Sequence, residues 1–257
     1  MLGIVGFFMC VSVSQADDKW TTIKGRAVLD SKAVIPVMAP IKVDKDKDAC
    51  LAKGAFTEET WVINPKNKGI ANVFVWIEPE PAPGGKFVRG KPFPKALINP
   101  TLGNQKLKEG EIDQPCCKFI PHCLALQEGT NLTIKNSAPV NHNAKIDAEN
   151  FSINPLLAPK GSYTQKNLKA EKNAIPVSCS IHPYMKAWVR VFDHPYFAIT
   201  DKDGNFEIKD APVGKFRLMM WHETGWRNGR AGIAGTPIEN KSGKVTDLKE
   251  LTFQLPK

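Results

Sequence analysis

The chain contains no glycine-rich loop of the kind that cradles phosphate groups, no dinucleotide fingerprint and no Ser-His-Asp set. Nucleotide-driven chemistry and triad hydrolysis are therefore not expected, and the chain is not read as an enzyme. Past Ala16 there is no run apolar enough to form a transmembrane segment. Acidic side chains are in the minority, 26 against 35 Lys and Arg, which leaves a net charge of +9. The lysines are scattered and no nucleic-acid-binding fold is recognisable, so no nucleic acid is expected as a partner. The excess of positive charge is either a solvated basic surface or a face for an acidic partner protein or anionic surface.

What is present reads as an exported, mostly β protein. Met1 to Ala16 has the apolar run and small-residue end of a secretory signal peptide (1–16). Cys10 follows Phe8-Met9 and lacks the small residues of a lipoprotein site. A periplasmic or secreted location follows. The 20 prolines and 19 glycines break the chain into short apolar runs, the pattern of strands joined by turns. Residues 21–29 alternate as an opening strand. Residues 59–64 and 71–77, joined by Asn64-Pro65-Lys66-Asn67-Lys68-Gly69, are expected to form a hairpin. Residues 78–110 are a Pro-rich extended loop. Strands are then expected at 119–126, 131–136, 174–178 and 187–192, with a short edge at 150–154. A second hairpin is expected around Asp203-Gly204, between 197–200 and 206–208, followed by strands over 211–223 and 251–255. Asp44-Lys45-Asp46-Lys47-Asp48 reads as a solvated loop. Asp201-Lys202-Asp203-Gly204 has its glycine at the wrong offset for a calcium loop and is read as a turn.

The chemistry is concentrated in Cys179-Ser180-Ile181-His182-Pro183-Tyr184-Met185. This one short loop carries a thiol, an imidazole and a thioether. Two His and one Cys with a weak axial Met form the trigonal copper site that cycles between Cu(I) and Cu(II). The second His must come from elsewhere, and His142 is the candidate, in Asn136-Ser137-Ala138-Pro139-Val140-Asn141-His142-Asn143. Cysteine arithmetic agrees. Cys50, Cys116, Cys117, Cys123 and Cys179 remain after the signal, an odd number in an oxidising compartment. With Cys179 on the metal, the other four can form two disulfides in three possible pairings. Adjacent Cys116 and Cys117 rarely reach disulfide geometry with each other; sequence does not choose between the two pairings that remain, and the reading leans to Cys50–Cys117 with Cys116–Cys123.

The C-x-x-H-x-x-M loop and the upstream His142-Asn143 resemble the ligand segments of the cupredoxins, in particular amicyanin, plastocyanin and pseudoazurin. The likeness covers residues 110–192. Beyond it, the repeated hairpin pattern resembles carboxypeptidase-regulatory or transthyretin-like domains, a pairing similar to bacterial methylamine-utilisation or plastocyanin-like multidomain proteins. The resemblance implies an all-β fold: a Greek-key cupredoxin-like sandwich plus a small transthyretin/carboxypeptidase-regulatory-like β-sandwich unit. The implied division is 17–110 for N-terminal strands and the Pro-rich loop, 111–193 for the copper domain and 194–257 for the second unit, completed by the N-terminal strands. It implies one type-1-like copper held by His142, Cys179, His182 and Met185. It further implies that Asn143 braces the Cys179 loop. His182 would reach the surface through an apolar patch of Ile181, Pro183, Tyr184 and Trp188 and pass electrons to a redox protein partner.

Other metal chemistries lack ligands. No two of the five histidines form the His-x-His pair of a trinuclear copper cluster. A binuclear copper loop needs two cysteines, and a zinc site leaves Met185 unexplained. His122 and His222 are read as core or interface residues, with a second metal site as the alternative, and His194 as solvated or hydrogen-bonded. The expected function is one-electron transfer. The alternatives are a copper-carrying or recognition module and an accessory subunit of an oxidoreductase.

Overall fold

A computed structural model describes residues 19–255. The expected signal peptide lies outside the described residues. The chain is nearly all β, with eighteen strands and a few short helices among the described residues. Two hydrophobic cores form, one under each group of sheets.

The first core gathers Ile112, Leu132, Ile134, Ile146, Ile175, Val177, Val189 and Val191. One covering sheet has the order 123–127, 186–192, 175–178, 145–147, 152–153. The other has the order 162–165, 132–135, 110–112. Alternation explains these strands. In Leu132–Lys135 the leucine and isoleucine are buried while Thr133 and Lys135 turn outward. In Ile175–Ser178, Ile175 and Val177 point in and Pro176 is exposed. Pro176 pairs only with Trp188 on one side; the pairing on the other side begins at Val177, so the missing N–H costs no ladder bond there.

The second core gathers Ile23, Leu29, Val73, Val75, Ile77, Tyr196, Phe206, Ile208, Phe216 and Leu218. Here strands from both ends of the chain interleave. Trp20–Leu29 lies between Asn205–Pro212, antiparallel, and Thr246–Phe253, parallel. Phe74–Pro79 lies between Phe197–Ile199 and Gly214–His222. Its first five residues are all buried, so a flank on each side is needed to satisfy its backbone.

Two expected hairpins are therefore corrected. The turn at 64–69 forms, with Asn64 N–H donating to the Gly69 carbonyl at 2.9 Å. Only an isolated bridge, Ile63 to Ile70, connects its arms. The all-apolar 74–77 stretch is better buried between two other strands than beside the half-exposed 59–64. Likewise, Phe197–Ile199 and Asn205–Pro212 enter different sheets. The turn between them still closes, with Gly204 at φ +79°. It packs against Ala27 and Gly69 instead of capping a ladder.

The two cores meet in an aromatic layer of Phe74, Trp76, Phe192 and Met219 flanked by Trp188, Trp221 and Trp226. Arg190 is buried in it, 4.0 Å above the Trp76 ring and 4.7 Å from Phe192. Glu223 ties the halves together by accepting from His122 at 2.7 Å and from the Trp188 indole at 3.2 Å. His122 and His222 thus sit at this junction, and Trp61 stacks on His222 at 4.1 Å. His194 is buried and its Nδ1 accepts the Tyr196 N–H at 3.1 Å.

Candidate metal centre

Strand pairing assembles the site. Val177 and Ser178 lie opposite Ile146 and Lys145, which brings the preceding pair His142–Asn143 beside the residue after Ser178, Cys179. Residues 179–185 then turn over the end of the sheet. The Met185 N–H donates to the His182 carbonyl at 2.9 Å before the chain enters Lys186–Phe192.

His142 Nδ1 and His182 Nδ1 are 3.0 Å apart, and Cys179 Sγ is 3.9 Å from His142 Nδ1. The three ligand atoms all lie within 4.8 Å of one another, and all three residues are buried. Met185 is buried in the same apolar cluster as Cys179. The structure thus brings three of the four sequence-predicted ligands to one point, and the fourth is buried at the end of the same turn.

Asn143 organises the loop. Its Oδ1 accepts the Ser180 N–H at 2.8 Å, the Ile181 N–H at 3.3 Å and the Cys179 thiol at 3.3 Å. Its amide donates to Asn154 Oδ1 at 2.6 Å, which fixes which way the side chain faces. Asn136 does similar work upstream, donating to the carbonyls of Val140 and Leu157 and accepting the Ala138 N–H.

Burial pushes the His142 pKa down to about 4, helped by the like charge of His182 and opposed by Asp46. Burial also lowers the His182 pKa, against the hydrogen bond to Asp46. Both rings are therefore neutral near pH 7, the form in which imidazole binds a metal. The Tyr184 hydroxyl is held up at about 12, by burial first and by Cys179 second. Two neutral imidazoles and one free thiol, closed off from water, form the nitrogen and sulfur set that suits copper. At most one proton can stand between two Nδ1 atoms 3.0 Å apart. At least one of the two rings therefore carries a lone pair into the pocket, which a cation can take.

Three expectations need correction. His182 does not reach the surface: it is 0 % exposed. Its Nε2 faces Asp46 Oδ2 at 3.0 Å and Cys50 Sγ at 3.8 Å. Second, the Asp44–Asp48 run is not merely a solvated loop, since Asp46 reaches into the site. No spacing rule marks Asp46; the only nearby signal was Cys50. Third, the Cys50–Cys117 disulfide is present, but Cys116 and Cys123 are free. Cys123 is buried at the junction of the cores, 3.5 Å from the Asn72 carbonyl, which burial on a strand keeps apart from the half-exposed Cys116.

No family model and no curated relative matches the chain. Solved structures do. One is the copper-containing nitrite reductase from Thermus scotoductus SA-01, 21 % identical over 37 % of this chain and 27 % of that one, TM-score 0.32. Another is a purple cupredoxin from Nitrosopumilus maritimus, 23 % identical over 32 % of this chain and 99 % of that one, TM-score 0.28. A third is the oxidised P94A mutant of amicyanin, 21 % identical over 32 % and 81 %, TM-score 0.29. This chain spans little more than a quarter of the nitrite reductase.

Proposed function

We propose that this chain is an exported copper protein that passes single electrons between redox partners. His142, Cys179 and His182 would hold one type-1-like copper, with Met185 as the weak axial group, in a unit spanning 111–193. The observation that carries this reading is the convergence of two Nδ1 atoms and one free thiol in a closed pocket. Bound there, copper supplies one-electron chemistry. The chain's own part is to hold the ligands still. Asn143 fixes the backbone around Cys179, and burial keeps both imidazoles neutral and ready to bind. Cys179 would bind as its thiolate, the form that ligates a metal. The basic surface fits an acidic redox protein as partner.

A second reading is copper carriage without redox turnover. The complete burial of His182 bears on it, because a closed imidazole edge lengthens the electron path to a protein partner; metal would then pass only when the segment carrying Asp46 opens. Metal analysis with an optical spectrum separates the two. An electron carrier binds one copper, has an intense visible band when oxidised and is reversibly reducible. A carrier gives up its metal to a chelator and lacks reversible reduction. Cys179→Ser must abolish the band; a variant that keeps it refutes the ligand assignment.

A further inference from the structure

The polypeptide over His182 is a closed excursion. Its base is held by the Pro40 to Thr57 bridge, by the Ile41 N–H donating to the Phe56 carbonyl at 2.9 Å and by the Glu58 N–H donating to the Ala39 carbonyl at 3.0 Å. Its tip is the short helix Lys47–Cys50, entered through Asp46 in a left-handed conformation at φ 51°. Val43 and Cys50 are buried in the first core, and Ile41 and Phe56 pack against it. The Cys50–Cys117 disulfide fastens the tip to the body of the sheet sandwich. From that tip, Asp46 points its carboxylate at the ring of His182.

We infer that Asp46 is a positioning residue for His182, and that the disulfide-fastened segment carrying it closes the imidazole edge to outside reagents and partners. This rests on the reading of His182 as a ligand. A neutral imidazole has one N–H and one lone pair. A carboxylate 3.0 Å from Nε2 can only accept, so the proton sits on Nε2 and the lone pair is on Nδ1, the atom that faces His142. A carboxylate behind a histidine fixes its tautomer and ring angle and makes it a more basic ligand. Cys50 Sγ, in the disulfide, is the other atom near Nε2 and cannot donate. A more basic ligand favours the more highly charged Cu(II). Asp46 therefore biases the site towards the oxidised form as well as covering it.

The test begins with metal-free protein, so that it stands or falls separately from copper binding. Nitrogen NMR of the His182 ring should give the Nε2–H tautomer in the wild type and in Asp46→Asn, whose amide oxygen can still accept. In Asp46→Ala it should give a mixture. Acylation of His182 by diethyl pyrocarbonate should be at least tenfold faster in the combined Asp46→Ala, Cys50→Ala, Cys117→Ala variant than in the wild type, and intermediate in Asp46→Ala alone. In copper-loaded protein, Asp46→Asn should shift the Cu(I)/Cu(II) ratio at fixed potential about tenfold towards Cu(I), which is about 59 mV for a one-electron couple. An unchanged tautomer in Asp46→Ala overturns the positioning role. Equal acylation rates in the wild type and in Asp46→Ala overturn the closure, even where the triple variant fails to fold. A wild type that takes no copper refutes the proposed function and leaves the tautomer and acylation results to decide the role of Asp46.

Discussion

Replacing Asn143 with alanine should loosen the Cys179 loop by a predictable amount. Asn143 is 5 % exposed, and its Oδ1 accepts two backbone N–H groups, those of Ser180 and Ile181. Alanine leaves both without an acceptor. An unsatisfied buried donor costs about 1–3 kcal/mol. These two donors are only partly buried, so the lower half of that range applies to each. Loss of the Asn154 contact adds little, because Asn154 can turn to water. The sum is about 2–4 kcal/mol, a roughly 30- to 900-fold change in the folding equilibrium. Urea unfolding of metal-free protein measures the loss, and amide exchange at Ser180 and Ile181 localises it. Asn143→Asp should lose less, because a carboxylate oxygen still accepts both N–H groups, while its charge beside Cys179 disfavours the thiolate. A loss below about 0.5 kcal/mol, the size of an ordinary surface substitution, with unchanged exchange at both amides, would refute the bracing argument.

Other perturbations follow from the same reasoning. Burial first, and Arg190 second, hold the His194 pKa down at about 3, and burial holds His222 at about 4. Unfolded histidines titrate near 6.5, so between about pH 6.5 and 4 the unfolded chain binds more protons. Stability from these groups is complete above about pH 6.5 and falls as the pH drops, by up to about 1.4 kcal/mol per pH unit for each histidine. Urea midpoints from pH 7 to 5 should show this slope, and His194→Asn should flatten it; an equal slope in the variant contradicts the assignment. Gly69→Ala would drive its methyl group into the Asp203 backbone, and a loss of about 1–3 kcal/mol in thermal unfolding is expected. Removing the Cys50–Cys117 crosslink, which closes a separation of 67 residues, should cost about 2–4 kcal/mol by denaturant titration; no loss would mean that the excursion over His182 is held by packing alone.

Much of the candidate site was legible because its parts are close in sequence. Cys179, His182 and Met185 stand on one turn, and a thiol, an imidazole and a thioether at that spacing have few other uses. Asn143 was legible as the neighbour of His142. Strands such as Leu132–Lys135 and Ile175–Ser178 were legible from alternation, since one buried face writes a period of two into the chain. Partners were harder. The turns at 64–69 and 201–204 were marked by Asn, Pro, Asp and Gly, and both form. Turn chemistry is local, however, and does not say whether the arms stay together. Phe74–Ile77, apolar on both faces, left its expected partner for a central place between strands more than a hundred residues away.

The sequence by itself determined that the chain is β-rich, where its turns lie, and which nitrogen- and sulfur-bearing side chains stand at positions 142, 179, 182 and 185. Only the tertiary structure decided which cysteines pair, that strands from both ends share one core, and that Asp46 stands behind His182 and closes it off. The division has a physical cause. Alternation, turn propensity and ligand chemistry are properties of a few adjacent residues. A contact between residues 46 and 182 depends on how two packed sheets and one crosslink place distant segments, and no local pattern encodes that.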